Sequence, residues 1–161
     1  MAGVRIEGDL AVLMKRLNQL SNVDFRGINA VLAETIRTST FERFKEEKDP
    51  EGKKWKTSIR VQEDGGKILS QNATLKNSIH SEFSEKGFEI GTNTIYAATH
   101  QFGDVRTIRA KNKKALKFQY AGKWHVVKSV TVNIPKRAFL GINSEDMREI
   151  RAMLKDVIWG E

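Results

Sequence analysis

Leu116-Lys117-Phe118-Gln119-Tyr120-Ala121-Gly122-Lys123-Trp124-His125-Val126-Val127-Lys128-Ser129-Val130-Thr131-Val132-Asn133-Ile134-Pro135 is the stretch that decides the fold. Leu116, Phe118 and Tyr120 alternate with Lys117 and Gln119, and Trp124, Val126, Val130, Val132 and Ile134 alternate with His125, Val127, Ser129, Thr131 and Asn133. A period of two is the mark of strands with one face to bury. Gly122-Lys123 turns the chain, and Pro135, which has no N–H to give a ladder, ends it. The expected unit is a β-hairpin over 115–134 with a short first arm and a long second one, Lys128 interrupting its more apolar face. His125, like His80, falls at a strand position expected to face outward.

The same stretch lies inside a block of one charge sign. From Val105 to Ser144 there is no acidic residue, while Arg106, Arg109, Lys111, Lys113, Lys114, Lys117, Lys123, Lys128, Lys136 and Arg137 supply ten positive charges. The rest of the chain carries 18 basic against 20 acidic residues, so the formal net charge of +8 comes from this block. A concentrated field of one sign selects an anionic partner. One such partner is nucleic acid, with phosphates against the cations and bases stacked on Phe118, Tyr120 or Trp124. The other is the acidic face of a neighbouring subunit, for which Glu42, Glu46, Glu47, Glu51, Glu82 and Glu85 qualify. Phe118 and Tyr120 share the parity of Leu116 and so face a core or an interface, which favours subunit contact for the hairpin. The feeder at 104–114, rich in charge with Ile108 as its large aliphatic residue, is expected to be a mobile basic loop and the piece nearest to DNA.

Before the block, Ile6, Leu10, Leu13, Met14, Leu17 and Leu20 recur at helical spacing and predict a helix over 6–20. A long helix is expected over 24–47, with Asp24 as N-cap and Phe25, Ile28, Leu32, Ile36 and Phe44 as its stripe. Asp49-Pro50-Glu51-Gly52 ends it, and Trp55 anchors the returning chain. Residues 56–68 are polar and read as a loop, and Leu69–Asn77 as a short helical turn. Ile79, Ser81 and Phe83, then Phe88 and Ile90, alternate around Ser84-Glu85-Lys86-Gly87, predicting a hairpin over 78–91. A short helix over 95–102 closes on Gly103, and a last helix over 144–159 is capped by Asn143 or Ser144. The fold class that follows is α+β in a single domain over 1–161: an antiparallel sheet built from two β-hairpins, packed against a long N-terminal helix and a C-terminal helix.

Catalytic chemistry finds little footing. Cysteine is absent, which excludes disulfides and thiol nucleophiles. His80, His100 and His125 lack metal-ligand spacing, and His100 has only Asp104 nearby as an orienting acid. The glycines of Gly87-Phe88-Glu89-Ile90-Gly91 flank a short strand and make no phosphate loop. No enzyme, cofactor or metal site is expected. No apolar run approaches the ~20 residues that cross a bilayer, and Glu7 and Asp9 stand where a signal peptide is apolar, so a soluble cytoplasmic product is expected.

Four ordered landmarks carry a resemblance. They are Asp49-Pro50-Glu51-Gly52-Lys53-Lys54-Trp55; Ile68-Leu69 with Leu75-Lys76-Asn77-Ser78-Ile79; Ile90-Gly91-Thr92-Asn93 with Tyr96-Ala97-Ala98-Thr99-His100-Gln101-Phe102-Gly103; and Ile134-Pro135-Lys136-Arg137-Ala138-Phe139-Leu140-Gly141-Ile142. In this order, and followed by a terminal helix, they resemble the phage virion-morphogenesis (tail-completion) family of Mu-like phages and prophages, over nearly the whole chain from about residue 10. The resemblance departs at Ala73-Thr74, where the family usually shows Thr-Gly or Ser-Gly, and in the long charged span between Gly103 and Pro135. It implies a non-enzymatic structural protein acting in tail completion and head–tail joining, made in the host cytoplasm and carried in the virion tail or neck. It implies as partners further copies of itself in a cyclic homo-oligomer, most simply a hexamer, with tail-tube or neck proteins and transient non-specific contact with DNA. It also implies packing roles for Trp55, Tyr96, His100, Gly103, Pro135, Phe139, Leu140 and Gly141. The rival reading, from charge alone, is a small basic nucleic-acid-binding module.

Overall fold

Helix α1 spans Phe25–Glu46, and Asp24 caps it as expected, its carboxylate accepting the Gly27 N–H at 2.9 Å. Leu32, Ala33, Ile36, Thr40, Arg43 and Phe44 form its buried face at intervals of three and four residues. Thr40 is tolerated inside because its hydroxyl donates to the Ile36 carbonyl at 2.9 Å. The helix stops where Glu47 takes a left-handed conformation, φ 58°. Asp49 then closes the turn, its Oδ1 accepting the N–H groups of Glu51 and Lys53 at 3.0 and 2.8 Å. The Trp55 N–H returns to the Glu47 carbonyl at 2.8 Å, so the chain doubles back against the end of α1.

This computed structural model describes residues 15, 18, 20, 21, 23–111, 114–120 and 122–159. The helix expected over 6–20 lies almost entirely outside the described residues, as does Lys113.

Residues 56–68 are not a plain loop: they contain a helix, α2 (Ile59–Asp64). Ser58 caps it through its hydroxyl, which accepts the Val61 N–H, and Gly65 ends it. The pattern hid it because Val61 is its one residue packed on the core, too little for a stripe. Helix α3 (Thr74–Asn77) leads into β1 (Ile79–Ser84), which pairs antiparallel with β2 (Gly87–Thr92) and closes at Ser84↔Gly87. α1 lies across both strands. Phe44, Trp55, Ile68, Leu75, Ile79, Ala97 and Phe139 make the core, with Trp55 edge-on to Phe44 at 5.4 Å.

Helix α4 (Ala97–Phe102) ends at Gly103, and strands β3 (Asp104–Arg109), β4 (Leu116–Tyr120), β5 (Lys123–Val127) and β6 (Ser129–Ile134) follow. The feeder expected as a mobile loop over 104–114 is therefore corrected: its first six residues are a strand, paired along its length with β6 from Asp104↔Ile134 to Arg109↔Ser129. Charge had masked the β-branched run Val105, Thr107 and Ile108, and the partner strand lies some twenty residues away. The hairpin over 115–134 is corrected with it, since its long arm breaks at Lys128 into β5, paired with β4, and β6, paired with β3. The last helix, α5 (Ser144–Trp159), contacts α1. The fold is α+β, with two-stranded antiparallel sheets packed against N- and C-terminal helices.

Candidate functional site

Strands β3–β6 form two successive two-stranded sheets, β3 with β6 and β4 with β5, which share the chain through Lys128 and so make a ribbon of eleven paired positions. None of its residues belongs to the hydrophobic core cluster. One face of its far half carries Leu116, Phe118 and Tyr120 opposite Val127, His125 and Lys123. His125 thus stacks on Phe118, 5.6 Å between rings and 19° between planes, and is half-buried rather than outward-facing. The reason is register: pairing sets His125 directly across from Phe118, whereas counting along the second arm alone had put it with the polar residues. The opposite face carries Trp124 and Val126, each 64% exposed, with the Lys117 ammonium 4.7 Å from the Trp124 ring. Nearer the body, Val105 is 68% exposed.

The basic residues fall into two groups. Arg106, Arg109, Lys111, Lys114, Lys117, Lys123, Lys128 and Lys136 are exposed along the ribbon or beside its base. Arg106 is tied to the neighbouring Asp104 at 3.1 Å. Arg137 is different: only 5% exposed, it turns into the subunit and donates from Nε to the Lys56 carbonyl at 2.7 Å.

The ribbon's base is held by a clasp on the extended segment 137–141. The Arg137 N–H donates to the His100 carbonyl at 2.7 Å, and the Trp55 indole N–H to the Ala138 carbonyl at 2.9 Å. Gln101 accepts from the N–H groups of Phe139 and Leu140 at 2.9 and 3.0 Å and donates to the Leu140 carbonyl at 2.8 Å. Arg43 donates to the carbonyls of Phe139 and Gly141 at 3.2 and 2.7 Å. A buried segment outside any sheet has its backbone groups satisfied by side chains, which is what makes its burial affordable. Gly103 sits at φ +80°, and a Cβ there would come within 2.9 Å of the Lys136 nitrogen, so glycine lets the two ends of the ribbon meet.

Of the landmark residues, Trp55 and Phe139 are core, and Gly103, Leu140 and Gly141 belong to the clasp. Pro135 follows the last strand. Tyr96 is exposed rather than packed inside, its ring in a T-shaped contact with His100 at 5.9 Å between centroids. His100 is pushed below its ordinary pKa, first by burial and then by the nearby Arg137 cation. Two residues of the clasp were not singled out from sequence. Arg43 falls seven residues after Ile36 on the buried face of α1, a position its charge disguised. Gln101 stood within a recognised landmark but carried no chemical signal of its own.

Among the described residues no group of three or more His, Asp or Glu side chains is arranged to hold a metal, and no helix is long and apolar enough to cross a membrane. No curated protein and no solved structure matches the chain. A family model does, that of the phage virion morphogenesis family, over residues 8–158. That span takes in α1, the clasp, the ribbon and most of α5, and the family's role is structural, in completing the phage tail as part of an oligomeric, tail-associated assembly. The chain belongs to the phage virion morphogenesis family.

Proposed function

We propose that this tail-completion protein works as one subunit of a closed ring at the end of the tail tube, most simply of six copies, and that its ribbon is the arm by which each copy grips the next. The carrying observation is the ribbon itself: paired strand outside the core, with Trp124, Val126 and Val105 exposed among eight cations. An isolated two-stranded hairpin is at best marginally stable in water, and its open edges and apolar side chains favour a partner. Charge supports another copy as that partner. Glu42, Glu46, Glu51, Glu82 and Glu85 are exposed on α1, its following turn and the β1–β2 hairpin, Glu42 and Glu46 beside Lys45 and Lys48. A head-to-tail contact between unlike faces closes into a ring when the rotation permits. In this reading subunits assemble in the host cytoplasm, join tail-tube or neck proteins, and help join the tail to the filled head. Arg106, Arg109, Lys111 and Lys114 meet passing DNA only transiently, because a channel that DNA crosses cannot hold it tightly.

Light scattering across a concentration series, alone and with tail tubes, tests the reading. A concentration-dependent species near six subunits, lost in Lys117→Glu/Lys123→Glu/Lys128→Glu with the unfolding midpoint unchanged, is the expected result. A chain that stays monomeric at millimolar concentration both alone and with tail tubes overturns it.

A further inference from the structure

A cleft of about 350 Å³ opens between α2, α3 and α4, lined by Arg60, Leu69, Asn72, Tyr96, His100 and Arg137 among others, and no acidic residue lines it. Arg60 is fixed at its rim, donating to the carbonyls of Gly65 and Lys67 at 3.4 and 2.7 Å. Arg137 is deeper and nine-tenths buried, yet no carboxylate pairs with it among the described residues. Of its guanidinium, Nε alone has a hydrogen bond among the described residues, to the Lys56 carbonyl. His100 adds a buried Nδ1 with no hydrogen-bond partner among the described residues. A buried cation is ordinarily paired, and a buried polar nitrogen ordinarily bonded; here both lie on one cleft with neither requirement met. Arg43, equally buried, is by contrast paired with Asp146, although its Nε too has no hydrogen-bond partner among the described residues.

We infer that this cleft is a binding site for a carboxylate, presented as the acidic side chain of a second polypeptide. The planar fork of a guanidinium matches a carboxylate's two oxygens. Ile68, Leu69, Leu75 and the Tyr96 ring give the cleft an apolar wall for an aliphatic stem, which a free phosphate lacks. The site is distinct from the ribbon and is read in the isolated subunit, so its test does not depend on ring formation.

The test titrates full-length, isotope-labelled protein with N-acetyl-L-glutamic acid α-amide, whose one charge is its side-chain carboxylate, following the His100 ring signals by NMR. The expected result is a saturating shift with millimolar half-saturation, absent with the neutral glutamine analogue and with sodium chloride at equal ionic strength. Arg137→Gln weakens binding about tenfold or more through loss of the charged fork. If that variant fails to fold, Asn72→Glu leaves Arg137 in place and weakens binding severalfold by setting a competing carboxylate at the rim. A shift that does not saturate, or that sodium chloride reproduces, overturns the proposal. So does saturation by inorganic phosphate without saturation by the glutamate probe, or affinity unaltered in whichever variant folds.

Discussion

Arg43 of α1 and Asp146 of α5, 103 positions apart in sequence, form a buried ion pair that joins the two ends of the fold. Each partner also works locally. Asp146 Oδ2 accepts the Asn143 N–H at 2.8 Å while Asn143 Oδ1 accepts the N–H groups of Glu145 and Asp146 at 2.8 and 2.7 Å, a reciprocal capping box that starts α5. Arg43 meanwhile bonds the clasp carbonyls of Phe139 and Gly141. One pair therefore fixes the long helix, the clasp and the start of the last helix relative to each other.

Removing either partner strands the other. Arg43→Ala leaves the Asp146 carboxylate buried without its cation and two clasp carbonyls without a donor, with an expected loss of about 3–5 kcal/mol. Asp146→Ala should cost a similar amount. The double variant Arg43→Ala/Asp146→Ala should lose less than the sum of the singles, since no unpaired charge then stays inside. Urea unfolding of the three variants and the parent measures this. Strictly additive losses would show that the pair is not coupled.

Gln101 gives a second, independent handle on the clasp. Gln101→Leu keeps a similar volume but leaves the Phe139 and Leu140 N–H groups and the Leu140 carbonyl without their partner. Each buried group left unsatisfied costs about 1–3 kcal/mol, so a loss of at least about 2 kcal/mol is expected. Amide exchange should quicken first at Phe139 and Leu140. If those two amides stay as protected as in the parent, the clasp does not depend on Gln101.

Those two side chains also show where sequence was readable and where it was not. The long helix was legible at its cap, Asp24, and along Leu32, Ile36 and Phe44, because capping and periodicity are local signals. The β1–β2 hairpin and α5 were legible for the same reason, within a residue or two of Ile79–Thr92 and at Ser144–Trp159. β3 was not, because pairing with β6 across an intervening hairpin leaves no local mark beyond Val105, Thr107 and Ile108. Arg43 and Gln101 were illegible as clasp residues because the backbone groups they satisfy lie 96 and 38 positions away. Arg137 misled for the converse reason: it sits in a run of exposed cations, and only the fold turns it inward.

Gly103 tests whether the ribbon's base requires its backbone geometry. Gly103→Ala must hold φ near +80° and place a methyl 2.9 Å from the Lys136 nitrogen and 3.2 Å from the Ile134 carbonyl oxygen, all backbone that cannot swing aside. Strain at a left-handed position and this contact together should cost about 2 kcal/mol or more. The loss should appear as a lower unfolding midpoint with the denaturant slope unchanged. A variant as stable as the parent would mean that β3 and segment 134–136 separate at no cost.

His100 links stability to pH. Burial, reinforced by Arg137, holds its folded pKa below the ordinary 6.5, so the fold favours the neutral ring. Between that lowered value and 6.5 the unfolded chain binds more protons than the folded one, and stability falls as the pH is lowered through this window. The groups beside the ring are Arg137, which opposes a second positive charge, and Tyr96, whose ring edge offers none. His100→Gln removes the titrating group while keeping a polar side chain. Unfolding midpoints measured from pH 7 down to about pH 5.5 should then fall less steeply than in the parent, by the proton no longer taken up on unfolding. Parallel pH profiles for parent and variant would show that His100 is protonated equally in both states, and that the Arg137 cation does not reach it.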